Sequence, residues 1–202
     1  MNLISSLKKY ARKRTQELEQ LARTQVSLDT AEVNIAGQKL TLKLNVERAA
    51  AWKLYVELNT RIATQELHPS EGLLREALSS LYALFGITRQ ILKEAGPEVA
   101  QGNESLGFYA MEILNQVLRP VLAKWHPALT HWEAGRENDV SPLEHERKWK
   151  HQARLRRALE STRGSLLTYS EALRLLAGVH DLDQSTSRKT KKTALNRQGR
   201  NR

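Results

Sequence analysis

The segment Val46–Leu67 constrains the fold more than any other part of the chain. Trp52, Tyr55, Val56, Leu58, Ile62 and Ala63 cover more than half of a helical circumference, more than one amphipathic stripe needs. A helix apolar on that much of its surface belongs between other helices. The sequence therefore predicts one helix over 46–67 as the spine of an α-helical core. Glu57 and Arg61 stand at i,i+4 with the acid first, the favourable order for a helical pair.

The remaining segments supply partners for that spine. Residues 2–27 read as a helix through Leu3, Ile4, Leu7, Ala11, Leu18, Leu21, Ala22 and Val26, with a basic outer cluster of Lys8, Lys9, Arg12, Lys13 and Arg14. The period then changes to two. Val33 and Ile35, then Leu40, Leu42 and Leu44, alternate with polar residues around Ala36–Lys39, which predicts a short β-hairpin over about 32–45. Such a ribbon must pack on helices or lend its edge to a partner. Ser70 caps a third predicted helix over 71–95, carrying Leu73, Leu74, Leu78, Leu81, Tyr82, Phe85, Ile91 and Leu92 inward and closed by Gly96-Pro97. The short link from Leu67 to Glu71 makes it antiparallel to the spine. A fourth helix starts near Glu104 with Phe108, Met111, Ile113, Leu114, Val117, Leu118, Val121 and Leu122, and Pro120 is expected to kink or split it. Trp125-His126-Pro127 and His131-Trp132 then read as a dense patch on a short helix or turn.

Ser141-Pro142-Leu143-Glu144 is a clear helix start, with serine as N-cap, proline at N1 and glutamate at N3. The predicted fifth helix runs to about Ala177, with Trp149, Ala153, Leu159, Thr162, Leu166, Tyr169, Leu173 and Leu176 inside, and Gly178 ends it. The fold class is thus mainly α: an antiparallel bundle of four to five helices with a short hairpin near the N-terminus, one domain over 1–179. Residues 180–202 hold almost no apolar side chain and are expected to form a disordered basic tail.

Charge and composition narrow the function classes. The net charge is +10, and the tail alone carries Arg188, Lys189, Lys191, Lys192, Arg197, Arg200 and Arg202 against Asp181 and Asp183. A second basic run, Arg147, Lys148, Lys150, Arg154, Arg156, Arg157 and Arg163, occupies the start of the fifth helix. Such surfaces favour polyanions, RNA or DNA among them, or an acidic protein, through contacts that are sequence-independent and salt-sensitive. The residues expected to contact nucleic acid are Arg147, Lys148, Lys150, Arg154 and Arg157 with the seven tail cations. Without cysteine there is no disulfide, thiolate site or cysteine nucleophile. No run approaches the roughly 18–20 apolar residues of a membrane span, and Lys8 and Lys9 interrupt any signal-peptide core, so a cytoplasmic location is expected.

Two arginine–histidine pairs, Arg61–His68 and Arg119–His126, share the spacing R-x6-H. Seven steps return to within about 20° of the starting direction, so on an uninterrupted helix each pair shares a face. Metal-independent RNA cleavage asks for such groups, histidine to move the 2′-hydroxyl proton and arginine to stabilise phosphorane charge. The spacing resembles the R-x4–6-H signature of HEPN ribonucleases. The resemblance is confined to these two residues in each copy and to the helical class. It implies an all-α protein whose dimer joins two such motifs, with Arg61, His68, Arg119 and His126 as catalytic candidates.

Metal ligation could draw on His126, His131 and Glu133, or on His145, His151 and Glu144, but neither set has two histidines at i,i+4 on one helix face. No cofactor motif or nucleophile elbow is present, so neither cofactor nor metal is expected. Trp125, His126, His131 and Trp132 are the expected partner-binding patch. These readings point to a non-enzymatic helical adaptor or accessory subunit that binds a partner protein, as a monomer or homodimer, with auxiliary nucleic-acid binding. An HEPN-like ribonuclease is the alternative, and a peripheral membrane-surface protein using the first helix a weaker one.

Overall fold

The computed structural model describes residues 3–23, 31–35, 38–42, 45–68, 71–101 and 104–179. The Ala36–Gly37 reversal, Ser70, the Gly102–Asn103 loop, the tail from residue 180, and the side chains of Leu18, Leu21, Ala22 and Val26 lie outside them.

The described chain is mainly helical. Helix α1 spans Leu3–Arg23, α2 Asn45–Asn59, α3 Leu74–Ala95, α4 Leu106–Glu112, α5 Arg119–Glu133, α6 Pro142–Arg147 and α7 Gln152–Leu176. Between α1 and α2, β1 (Ala31–Ile35) pairs antiparallel with β2 (Gln38–Leu42), Val33 opposite Leu40. No described helix is long and apolar enough to cross a membrane.

Leucine dominates the core. Leu7, Leu74, Leu78, Leu81, Leu106, Leu118, Leu129, Leu155, Leu166 and Leu173 are all fully buried. Each contributes about 1.5–3 kcal/mol relative to exposure. Helix α7 runs through the middle and packs on both α1 and α2. Thr15 Oγ1 of α1 reaches the Leu175 carbonyl at 3.1 Å, and Asn59 Nδ2 of α2 reaches Ser170 Oγ at 2.6 Å. Helices α2 and α3 lie antiparallel, as Lys53–Glu94 and Ala63–Ser80 contacts at their opposite ends require.

Three predicted elements take a different form. The spine helix stops at Asn59, not Leu67, where a polar side chain takes a carbonyl that a further helical N–H would use. The Val56 carbonyl keeps its helical bond from the Thr60 N–H at 3.1 Å and adds the Thr60 hydroxyl, whereas the buried Thr64 hydroxyl takes the Leu58 carbonyl at 2.6 Å, and that of Arg61 at 3.0 Å. Arg61 is extended, and only a single 3₁₀ turn, Ile62–Thr64, follows. The spine is also less encircled than its composition implies: Ala50, Ala51, Leu54 and Leu58 are buried, whereas Trp52 is 47% and Ile62 51% exposed.

The second difference lies at Pro120. The chain from Leu106 to Glu133 is one rod, whose hydrogen bonding widens into a π-turn over Ile113–Leu118. Pro120 stands two residues past that widened turn, which loosens the regular i→i−4 ladder where proline supplies no N–H. Trp125 through Trp132 belong to this same helix and not to a separate turn.

The third concerns the predicted fifth helix, which is two. The expected capping box is present at its start, Ser141 Oγ accepting from the Glu144 N–H and the Glu144 carboxylate accepting from Ser141 N–H. The helix breaks after Arg147 so that Glu146 and Trp149 can both turn inward. Trp149 packs edge-to-face on Trp125 at 6.0 Å. Glu146 accepts the Leu74 N–H at 2.8 Å, satisfying a donor in the first turn of α3. Burial pushes its carboxyl above the usual range, partly opposed by that N–H and by Arg156 at 3.8 Å. Ala153, predicted inside, is exposed. Gly178 closes α7 as expected, at φ +68 with the Arg48 guanidinium lying where a Cβ would stand.

Candidate interaction site

The antiparallel pair α3 and α5 forms a surface groove. Arg75 opens it on α3: its Nε and Nη2 hold the Glu133 carboxylate at 2.6–3.0 Å, Nη2 also reaches Thr130 Oγ1 at 2.9 Å, and Nη1 reaches His126 Nδ1 at 3.0 Å. A guanidinium only donates, so Nδ1 carries the lone pair and the His126 proton sits on Nε2. That Nε2 is buried and has no hydrogen-bond partner. Tyr82, two turns along the same face of α3 at i+7 from Arg75, sets its ring against His126 at 5.6 Å and stays 64% exposed. Farther along, the Arg119 guanidinium covers the Phe85 ring at 5.7 Å. The groove thus runs Glu133, Arg75, His126, Tyr82, Phe85, Arg119.

The two R-x6-H pairs have opposite fates. Arg119 and His126 share α5, as the spacing predicts, and both face α3. They do not meet: Arg119 hydrogen-bonds Asn115 Oδ1 at 2.9 Å, while His126 is taken by Arg75. Arg61 lies past the end of α2, pairs with Glu57 at 2.7 Å, and shares no helix face with His68. His68 is exposed, and its carbonyl accepts from Arg156 Nη1 at 3.0 Å.

The predicted partner patch is divided. Trp125 is buried at 6% exposure and belongs to the core, so it is corrected out of any surface. Trp132 is half-buried, stacks on His145 at 4.6 Å and donates Nε1–H to the His145 carbonyl at 3.1 Å. His131 is exposed. Among the described residues no group of three or more His, Asp or Glu side chains is placed to hold a metal ion.

The basic run of α6–α7 sorts by environment. Arg147, Lys148, Lys150, Arg154 and Arg157 are all exposed. Arg156, its side chain 14% exposed, bonds the His68 and Gly72 carbonyls and lies against Glu146. The tail cations Arg188, Lys189, Lys191, Lys192, Arg197, Arg200 and Arg202 lie outside the described residues. On α1 Lys8, Lys9, Arg12 and Lys13 are exposed and Arg14 turns to Glu47 of α2, while Leu7, Tyr10 and Ala11 pack inward.

Two features escaped sequence reasoning. One is the groove's α3 wall: the inner-stripe expectation holds for Phe85, which packs partly buried against the core, but not for Tyr82, which is exposed; Arg75, Tyr82 and Arg89 recur at seven-residue steps, a signal for one shared face. The other is a cleft of about 330 Å³ where Tyr10, Lys13, Arg14 and Glu17 of α1 meet Glu47 of α2 and Glu98, Val99, Gln101, Glu104 and Ser105. There the Tyr10 hydroxyl donates to Glu47, which also accepts from Arg14 Nε at 2.9 Å. Burial, reinforced by Glu47, holds the Tyr10 phenol above its ordinary range, so it remains a donor.

No protein-family model, curated protein or solved structure matches this chain.

Proposed function

We propose that this protein is a non-enzymatic helical adaptor or accessory subunit that docks a partner protein. One observation carries the reading: Phe108 (39% exposed) and Met111 (47%) stand at i,i+3 on the outer face of α4, a small apolar contact surface with no described partner element. The hairpin edge and the Trp132–His131 end of α5 are further contact points within the same proposal. Polyanion binding is auxiliary to it, carried by Arg147, Lys148, Lys150, Arg154 and Arg157 and by the tail cations. The placement is cytoplasmic in this reading, and a homodimer through the same surfaces is compatible with it.

Affinity capture with the full chain beside Phe108→Ser/Met111→Ser tests the adaptor. A partner held by the parent and lost by the double variant, at unchanged thermal stability, is the expected result. An identical set of captured proteins would overturn the assignment of that face.

The HEPN-like ribonuclease remains the second reading, favoured by Arg119 and His126 facing the same groove from α5. It requires His126 to accept a proton, whereas Nδ1 is engaged by Arg75 and Nε2 is covered. Metal-free incubation with single-stranded RNA decides: the adaptor predicts intact RNA. Cleavage abolished in His126→Ala or His68→Ala would make the protein an enzyme and identify the motif.

A further inference from the structure

The groove between α3 and α5 joins an exposed aromatic ring, uncompensated cations and an uncovered stretch of helix. Tyr82 is the most exposed large apolar side chain described, at 64%. Its ring is oriented from behind: Glu133 and Thr130 fix Arg75, Arg75 fixes His126, and His126 meets Tyr82. One turn farther on, Gly86 interrupts the middle of α3, and a Cβ built there would meet nothing within 4 Å. A mid-helix glycine costs stability relative to alanine, and here no packing demand requires it. What it leaves is open helix surface one turn from Tyr82.

Beyond Gly86 the cations gather. Arg89 bonds only the carbonyl of Phe85 in its own helix, at 3.1 Å. Arg119 bonds only Asn115 and covers Phe85. Among the described residues neither arginine has a carboxylate within ion-pair distance, and the groove's own carboxylate, Glu133, is neutralised by Arg75. An apolar protein partner would find these two charges costly to desolvate. A flexible polyanion that offers flat rings at short intervals would use both features.

We propose that this groove binds single-stranded nucleic acid, one base stacking on Tyr82 over Gly86 while flanking phosphates contact Arg89 and Arg119. Aromatic platforms beside cations are the general means of holding single strands without reading sequence. A duplex keeps its bases stacked inside and has no free ring for Tyr82, so the site discriminates by strandedness. The inference goes beyond the adaptor reading and does not depend on it.

The test uses the full chain, a labelled 12-nucleotide oligouridylate, its deoxythymidylate counterpart and a duplex of equal length. Binding is followed by fluorescence anisotropy, and the contact is mapped by photo-cross-linking of a 4-thiouridine-substituted strand. Tyr82→Ala is expected to weaken single-strand binding about five- to 150-fold, the range for loss of one stacked base, with duplex binding unchanged. Tyr82→Phe keeps the platform and is expected to bind as the parent does. Arg119→Ala should lower the salt slope by about 0.7, the effect of one phosphate contact on a single strand. Gly86→Leu is the sharpest variant. It should hold or raise the melting temperature, because leucine favours helix over glycine, and yet block the base. Cross-links should fall on the peptide holding Tyr82 and Phe85.

Several results would overturn the proposal: equal loss of single-strand and duplex binding in Tyr82→Ala, full binding by Gly86→Leu, or cross-links confined to α6–α7 or the tail. No binding of either oligonucleotide would do so too, and would leave the groove to a protein. Failure of the adaptor reading is separable, since it concerns Phe108 and Met111 and leaves these measurements untouched.

Discussion

Arg61–His68 and Arg119–His126 are written with the same spacing, yet only one becomes a helical geometry. In the first pair the helix ends at Asn59, before either residue, and Thr64 takes the Leu58 carbonyl that further helix would need. Its arginine turns back to Glu57, and its histidine is carried off on a segment tied down by Arg156. In the second pair the helix persists through Arg119 and His126, with Pro120 following directly on the π-turn. Even there the residues acquire different neighbours. A sequence spacing becomes a spatial relation only when the intervening backbone is regular, and becomes chemistry only when no third residue intercepts it. Arg75 is the interceptor here.

The largest effect is expected where the first pair is supported. Arg156→Ala removes the cation that faces buried Glu146 and frees two carbonyls of the 68–72 segment. Stranding a buried carboxylate should cost about 2–4 kcal/mol in urea denaturation. A loss below about 0.5 kcal/mol, the scatter of ordinary surface substitutions, would show that this segment needs no such anchor.

Arg75→Ala attacks the second pair. Its bonds to Glu133, His126 and Thr130 lie at a partly exposed surface, so screening limits the expected loss to about 1–2 kcal/mol. A cycle with Glu133→Ala should recover part of that as coupling. If the two substitutions proved additive, the ordered set behind Tyr82 would be a coincidence of packing. Arg61→Ala should do least, about 0.5 kcal/mol for an i,i+4 pair near the end of a helix. A much larger loss would mean that Arg61, with its buried and unpartnered Nε, does more for the core than its ion pair with Glu57.

Much of the helical plan was legible in the amino acids. The capping box at Ser141, the glycine stops at Gly96 and Gly178, and the inner stripe of α7 follow from local rules that act within one turn. What local rules miss is competition between distant groups. Glu146 turns inward because the first turn of α3 presents an unpaired N–H to it, and nothing near residue 146 announces this. Two tryptophans and two histidines crowding one stretch point Trp125 to the surface, although Trp149 from the link between α6 and α7 covers it. The spacing of Tyr82 allows either side of α3. The groove was therefore spelled out in its residues but not in its orientation.

The π-turn at Ile113–Leu118 has a consequence for counting. Inner positions before it are Leu106, Tyr109, Ala110 and Ile113; after it they are Leu118, Leu122, Trp125 and Leu129. At 3.6 residues per turn the two series are out of phase by about one residue, the increment that a widened turn inserts. The turn is a phase shifter within a single rod. Closing it to regular α geometry with no residue removed would rotate everything beyond by about 100°, bringing Trp125 toward solvent and carrying Arg119 and His126 away from α3, whereas deleting one residue there would restore a helix of single phase with Trp125 still inward.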